Sequence, residues 1–171
     1  SMPYSLHPPW LLVDCNANDH SSLPYNARQF LQTRQPDMTS ATYEHLLYDK
    51  REHRVTITLN RPERRNALSI AANARLFALW EAIDADDSVR VVVLTSADCG
   101  TFCAGMDLKE YFRENEAKGL GATRAAQREA YGWWRRLRWY QKPTIAMVNG
   151  WCFGGGYGPL FGCDLAFAAE D

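Results

Sequence analysis

Thr144-Ile-Ala-Met-Val-Asn-Gly150-Trp-Cys-Phe-Gly154-Gly-Gly156-Tyr-Gly158-Pro159 reads as a buried strand running into a cluster of glycines, then a proline able to open a helix. Three consecutive glycines let the backbone approach a ligand more closely than any side chain would permit. A helix start adds unpaired N–H groups and the positive end of a dipole. The segment is therefore suited to hold an oxygen that carries, or develops, negative charge. Two phosphate loops fail the test. A dinucleotide fingerprint (Gly-x-Gly-x-x-Gly) begun at Gly154 needs glycine at 159, where Pro159 stands. A P-loop needs a closing Lys-Ser/Thr pair, and none follows Gly156. A nucleophile elbow requires a serine among the glycines, which is absent. A tight turn without function stays open at this point.

The chain has 171 residues and a formal net charge of −1, with a pI near 6.4. These values fit one domain and leave no electrostatic footprint for nucleic acid or a membrane surface. No apolar run approaches a membrane span. Trp10-Leu-Leu-Val13 is too short, and lacks the preceding charge, for a secretory segment. The five cysteines (15, 99, 103, 152 and 163) form an odd set with no CxxC pair. No metal site is expected from them, and reduced thiols in a cytoplasmic protein are the simpler account.

All eleven glycines fall at or after position 100, while five of the eight prolines lie in the first 36 residues. That asymmetry divides the chain. Residues 1–40 mix Pro, Ser, Asn, Asp and Gln without sustained period and are expected to be a disordered or non-native extension, with Met38 near the native start. Residues 41–171 form the domain. At its far end Asp164-Leu-Ala-Phe-Ala-Ala169 reads as a buried strand two residues from the last one. A buried strand with nothing after it leaves its neighbours uncovered, as expected of a chain truncated inside a domain.

Within the domain, Tyr43–Tyr48 and His53–Asn60 read as strands around a charged turn at 49–52. Ser69 is placed to cap a helix whose apolar positions Ala72, Leu76, Phe77, Leu79, Trp80 and Ile83 fall at helical spacing. Val91-Val-Val-Leu-Thr95 is a β-branched run of the kind buried on both faces. A loop over 96–105, a helix near 107–115 and a longer helix over 122–140 follow. The last carries Trp133, Trp134, Leu137 and Tyr140 at core spacing, with Arg135, Arg136 and Arg138 on a solvated back. Strand–helix–strand alternation predicts an α/β fold with mostly parallel strands.

Cys103-Ala-Gly105-Met106-Asp107-Leu108 is a second strand-to-helix turn containing a glycine. If the strands before the two turns are parallel neighbours, two backbone N–H groups converge on one point, as in an oxyanion hole. Together with Asn60-Arg-Pro-Glu-Arg-Arg65-Asn-Ala-Leu68, and with Cys163-Asp-Leu165 after the glycine cluster, these segments resemble the crotonase (enoyl-CoA hydratase/isomerase) superfamily over about residues 42–171. The resemblance implies a spiral of ββα units, here truncated, that binds an acyl-CoA thioester. It implies that the N–H groups of Met106 and Gly155 receive the thioester oxygen. The surrounding substrate site would comprise Gly105, Gly154, Gly156, Gly158, Asp107, Leu108 and Lys109, with Ala104 contacting the adenine and Arg64 lining the CoA entrance. No cofactor is implied, since coenzyme A belongs to the substrate. A homotrimer or hexamer is implied for the full-length family member.

Ordinary hydratases of this family carry a glutamate where Gly158 stands, and side-chain acid–base catalysis typically contributes about 10²–10⁴-fold. Asp107, at the first residue of a helix, fits a structural cap better than a replacement base. Met106-Asp-Leu-Lys-Glu-Tyr-Phe-Arg113 and Lys142-Pro-Thr-Ile-Ala-Met-Val-Asn-Gly-Trp-Cys-Phe-Gly-Gly-Gly156 resemble more closely the hydroxycinnamoyl-CoA (feruloyl-CoA) hydratase-lyases. That resemblance implies hydration of 4-hydroxycinnamoyl-CoA and retro-aldol cleavage to an aromatic aldehyde, such as vanillin, and acetyl-CoA. It assigns Tyr111 to the substrate's 4-hydroxyl, and places the water-activating glutamate and a second tyrosine beyond residue 171. The chain alone is then expected to be inactive. The alternatives are a hydratase or isomerase of aliphatic acyl-CoA and a non-catalytic acyl-CoA-binding protein.

Overall fold

The computed structural model describes residues 40–116, 121, 124 and 132–170. The extension expected at 1–40 therefore lies outside the described residues except for Ser40, as does much of the helix expected over 122–140.

Alternating apolar residues build the first strands. β1 (Ser40–Tyr43) pairs antiparallel with β2 (Leu46–Arg51), which pairs antiparallel with β3 (Arg54–Leu59). The single strand expected over Tyr43–Tyr48 is thus two strands. The chain turns at Glu44-His45, where His45 adopts φ 64. Two hydrogen bonds hold that left-handed residue: its carbonyl accepts from Asn60 N–H at 2.8 Å, and its Nδ1 lies 2.9 Å from Ser69 Oγ. The next turn falls at Glu52-His53, so Asp49–Arg51 belong to β2 rather than to a turn.

α1 (Ile70–Asp84) begins where Ser69 caps it, the hydroxyl accepting from Ala72 N–H at 2.9 Å. Such a cap contributes about 1 kcal/mol. Ala72, Leu76, Leu79, Trp80 and Ile83 on one face are buried against the sheet. β4 (Val91–Ser96) then lies parallel beside β3, β6 (Thr144–Val148) parallel beside β4, and β8 (Leu165–Ala168) parallel beside β6. The large sheet has the order β1-β2-β3-β4-β6-β8. The parallel adjacency expected of the two strands that precede the glycine turns is therefore present.

Two further strands, β5 (Thr101–Cys103) and β7 (Trp151–Cys152), form a small parallel sheet in stretches expected to be loop and turn. Their pairing gives the chain a repeated step. β4, then β5, then α2 (Leu108–Glu116) is one ββα unit. β6, then β7, then a 3₁₀ turn at Gly154–Gly156 and α4 (Tyr157–Gly162) is the next. Each unit sends one strand to each sheet, so corresponding turns are stacked side by side. Asp164 fixes the return to β8: its carboxylate accepts from Thr144 N–H and Oγ1, both at 2.8 Å.

The core is sealed by aromatics from α1 and from α3 (Gly132–Leu137). Trp80 and Trp133 stack with centroids 6.4 Å apart, and Tyr140 meets Trp80 edge-on while donating its hydroxyl to the Trp80 carbonyl at 2.7 Å. The core face expected before Pro143 is borne out: Trp133 and Leu137 are buried, Arg135 and Arg138 exposed, and Arg136 pairs with Glu81. β8 departs from expectation. It is an edge strand among the described residues and all four of its residues are exposed, Phe167 to 62%. No helix among the described residues is long and apolar enough to cross a membrane.

Lys50 on β2 reaches Asp86, just past α1, at 2.5 Å, tying helix to sheet. Burial raises the Asp86 pKa, but hydrogen bonds from Lys50 and Ser88 outweigh it and hold the carboxyl down to about 2. A depressed folded-state pKa contributes stability above the unfolded value near 3.8 that is lost as pH falls toward 2. Asp86→Asn is expected to lower the melting temperature at neutral pH and to flatten its decline below pH 4. Thermal melts across that range check this; an unchanged acid limb would contradict it.

Candidate active site

The segment Arg61–Leu68 is a strap beneath the first turn. After a 3₁₀ turn at Pro62–Arg64, Arg65 and Asn66 take φ 53 and 52. Asn is among the residues best able to adopt this left-handed geometry. Its buried side chain then satisfies four neighbours. Asn66 Oδ1 accepts from Arg61 N–H at 2.9 Å, and Nδ2 donates to the carbonyls of Ala97 and Thr101 at 2.9 and 2.8 Å and lies 3.3 Å from Cys99 Sγ. The strap then grips the turn directly. Ala104 N–H donates to Arg65 O at 3.1 Å, Leu68 N–H to Gly105 O at 2.7 Å, and Asp107 N–H to Leu68 O at 3.0 Å. Asn66 is thus the member of the arginine-rich motif that builds the site, a role the sequence reading did not assign.

The second turn is pressed against the first. Phe153 N–H donates to Cys103 O at 2.9 Å. Gly105 has φ +89, and a methyl group added there would lie 2.8 Å from Gly155 N and 2.9 Å from Phe153 O, closer than packing permits. A methyl group at Gly155 would lie 3.3 Å from Met106 N. Met106 and Gly155 are therefore brought together as the sequence reading requires, with Gly105, Gly154 and Gly156 around them. Among the described residues neither the Met106 nor the Gly155 N–H has a hydrogen-bond acceptor in the protein. Two such donors, fixed by a rigid backbone, can stabilise an oxyanion without reorganising.

Asn73 supports this arrangement from the core. It donates through Nδ2 to Ser69 O at 2.9 Å, with the same nitrogen 3.4 Å from Met106 Sδ, and accepts at Oδ1 from Trp133 Nε1 at 2.8 Å. Cys103 sits behind the hole. Burial pushes its thiol up to about 12, so it is neutral at physiological pH and no nucleophile.

A charged cleft adjoins the hole, lined by Arg61, Arg64, Asp107, Lys109, Glu110 and Arg113. Arg64 and Lys109 are exposed here, and Leu108 is exposed beside them. Asp107 acts within the protein. Its Oδ1 caps α2 by accepting from Glu110 N–H at 3.2 Å, and its Oδ2 accepts from Arg61 at 2.9 Å. Burial raises its pKa, but the Glu110 N–H and the Arg61 guanidinium together hold it below the usual carboxylate range. A carboxylate so committed is a poor proton acceptor, which agrees with the structural reading of this residue. Tyr111, one helical turn on, is buried and packs edge-on against Phe112.

Gly158 is placed differently from its neighbours. A methyl group there would overlap Cδ2 and Cε3 of the Trp134 indole and lie 2.7 Å from Cε2. Any side chain at 158 therefore competes with Trp134 for the same space. That contact was missed because residues 134 and 158 are far apart in sequence. The glycines at 158 and 162 were its one visible sign: four apart on α4, they let α3 approach closely, a methyl at Gly162 lying 3.0 Å from Leu137 Cβ.

The chain resembles known proteins over the same region. Residues 50–171 match the family model described as enoyl-CoA hydratase/isomerase. The hydroxycinnamoyl-CoA hydratase-lyase of Pseudomonas fluorescens is 51% identical over 116 residues, 67% of this chain and 42% of that protein. The mevalonyl-coenzyme A hydratase sidH of Aspergillus fumigatus is 38% identical over 119 residues, 70% of this chain and 42% of that protein. Among solved structures, Pseudomonas aeruginosa AtuE superposes with a TM-score of 0.70 at 39% identity, covering 75% of this chain and 49% of that one. An enoyl-CoA hydratase/isomerase from Xanthobacter autotrophicus Py2 gives 0.70 at 36%, covering 76% and 48%. The chain thus spans a little under half the length of the relatives it matches. With its paired ββα units, its strap and its facing glycine turns, the chain belongs to the enoyl-CoA hydratase/isomerase family and has the crotonase fold.

Proposed function

We propose that this chain supplies the thioester-binding half of a hydratase-lyase acting on 4-hydroxycinnamoyl-CoA. The observation that carries the reading is the contact of Gly105–Met106 with Gly155, which leaves two main-chain donors without acceptors at one point. The thioester carbonyl oxygen accepts from both. Water adds to the β-carbon while the α-carbon becomes an enolate, whose oxygen the same donors hold before protonation at carbon. Removal of the β-hydroxyl proton then breaks the Cα–Cβ bond, releasing an aromatic aldehyde and the enolate of acetyl-CoA. One hole thus serves both enolates. Losing one donor from such a hole typically costs about 2.7–4 kcal/mol in barrier.

The remaining roles follow from charge and position. Arg64, Lys109 and Arg113 form a cationic rim suited to the phosphates of coenzyme A, with Ala104 at the adenine. Tyr111 is assigned to the phenol end of the substrate. Gly158 offers no acid or base, so proton transfer is assigned to a carboxylate outside the described residues. The lyase reading, rather than a hydratase of aliphatic thioesters, is supported by the 51% identity to a hydroxycinnamoyl-CoA hydratase-lyase. A cytoplasmic location and a homotrimer or hexamer accompany it. The 171-residue chain by itself is expected to be inactive and poorly folded, a reading that the exposed apolar residues of β8 support.

Two measurements test the proposal. The intact protein given feruloyl-CoA should release vanillin and acetyl-CoA, detected by the absorbance of the aldehyde and by chromatographic separation of acetyl-CoA from the substrate thioester. Hydration of crotonyl-CoA without any aldehyde from feruloyl-CoA would refute the lyase. Gly155→Pro, which deletes one N–H, should lower kcat about 10²–10³-fold with circular dichroism unchanged. Wild-type rates from a folded variant would remove Gly155 from the hole.

A further inference from the structure

The indole of Trp134 reaches the hole itself. Besides filling the space above Gly158, its Cη2 lies 3.4 Å from where a methyl at Gly155 would sit, a point that is also 3.3 Å from the Met106 nitrogen and Cγ. One aromatic ring thus runs alongside the segment from the Gly155 donor to Gly158. It is half-buried. Nor is it free to swing. Trp134 meets Trp133 edge-on, with centroids 6.1 Å apart and planes at 88°. Trp133 is locked in turn by its stack on Trp80 and its hydrogen bond to Asn73. The ring is presented to the hole by a rigid aromatic column that starts in the core.

We propose that Trp134 is a specificity-determining wall of the acyl pocket, selecting a planar, aryl-conjugated acyl group, and that Gly158 is required because the indole occupies the space of its missing side chain. The inference rests on the acyl-CoA reading of the hole. A thioester whose oxygen is held by Met106 and Gly155 extends its acyl chain away from that oxygen, past the neighbouring segment. A flat conjugated chain offers the indole a continuous π-face there, whereas a short aliphatic chain offers little area. The same ring excludes water from the 158 side, so the attacking water must approach the β-carbon from the opposite face. Absence of a side chain at 158 therefore has a positive role: it makes room for the selecting surface.

The test uses kcat and KM of the intact protein for 4-hydroxycinnamoyl-CoA and crotonyl-CoA, with thermal melts as a folding control. Trp134→Ala should raise KM for the aryl thioester roughly ten-fold, the upper range for one aromatic contact, and lower the aryl-to-crotonyl ratio of kcat/KM accordingly. Trp134→Phe should retain most of the aryl preference. Gly158→Ala should displace the indole and lose that preference too, yet add little in the Trp134→Ala background. An unchanged aryl-to-crotonyl ratio in a folded Trp134→Ala variant overturns the wall while leaving the acyl-CoA reading intact. So do fully multiplicative effects of the two substitutions. A wild-type protein that binds neither thioester refutes the acyl-CoA reading and the wall with it.

Discussion

Gly105 and Gly155 stand so close that a methyl group on the first would lie 2.8 Å from the nitrogen of the second. Much of the described structure holds these two turns at that separation. The large sheet sets β4 and β6 in parallel register, Val92 opposite Thr144. The small sheet sets β5 and β7 beside each other, so the turns that follow emerge side by side. The strap from Arg61 to Leu68 then fixes the first turn through three main-chain hydrogen bonds. Fixation matters because a donor that must reorient during reaction gives back part of what it gains.

The surroundings of the hole divide by charge. Behind it lie groups that cannot ionise readily: the Cys103 thiol, raised to about 12 by burial, and the apolar column of Trp134, Trp133 and Trp80. In front lies the cleft with Arg64, Lys109 and Arg113. The charged cleft and the apolar aromatic column thus flank the paired turns. The carboxylate nearest the hole in sequence, Asp107, is committed to Arg61 and to the first turn of α2.

Much of this was legible in the sequence wherever local chemistry governs. Ser69 announces α1 because a hydroxyl before an apolar helical pattern has one good use. The run Val91–Thr95 and the glycines at 105 and 154–156 announce the parallel pair and its turns. What escaped depends on partners distant in the chain. β5 and β7 have three and two residues, too few to show a period, and exist because each pairs with the other across about 50 positions. The turn at His45 has no glycine to mark it and is stabilised by Asn60 and Ser69. Asn66 reads as one letter of a motif until its four contacts are seen. Gly158 reads as a missing carboxylate, whereas the structure shows a site filled by Trp134.

The central claim is that Met106 and Gly155 share one oxyanion. A crystal structure of the intact protein with a non-cleavable aryl-CoA thioester analogue tests it most directly. The account predicts the thioester oxygen about 2.7–3.1 Å from both nitrogens, the geometry of a working oxyanion hole. A bound thioester whose oxygen contacts neither N–H, or only a side chain, would contradict it.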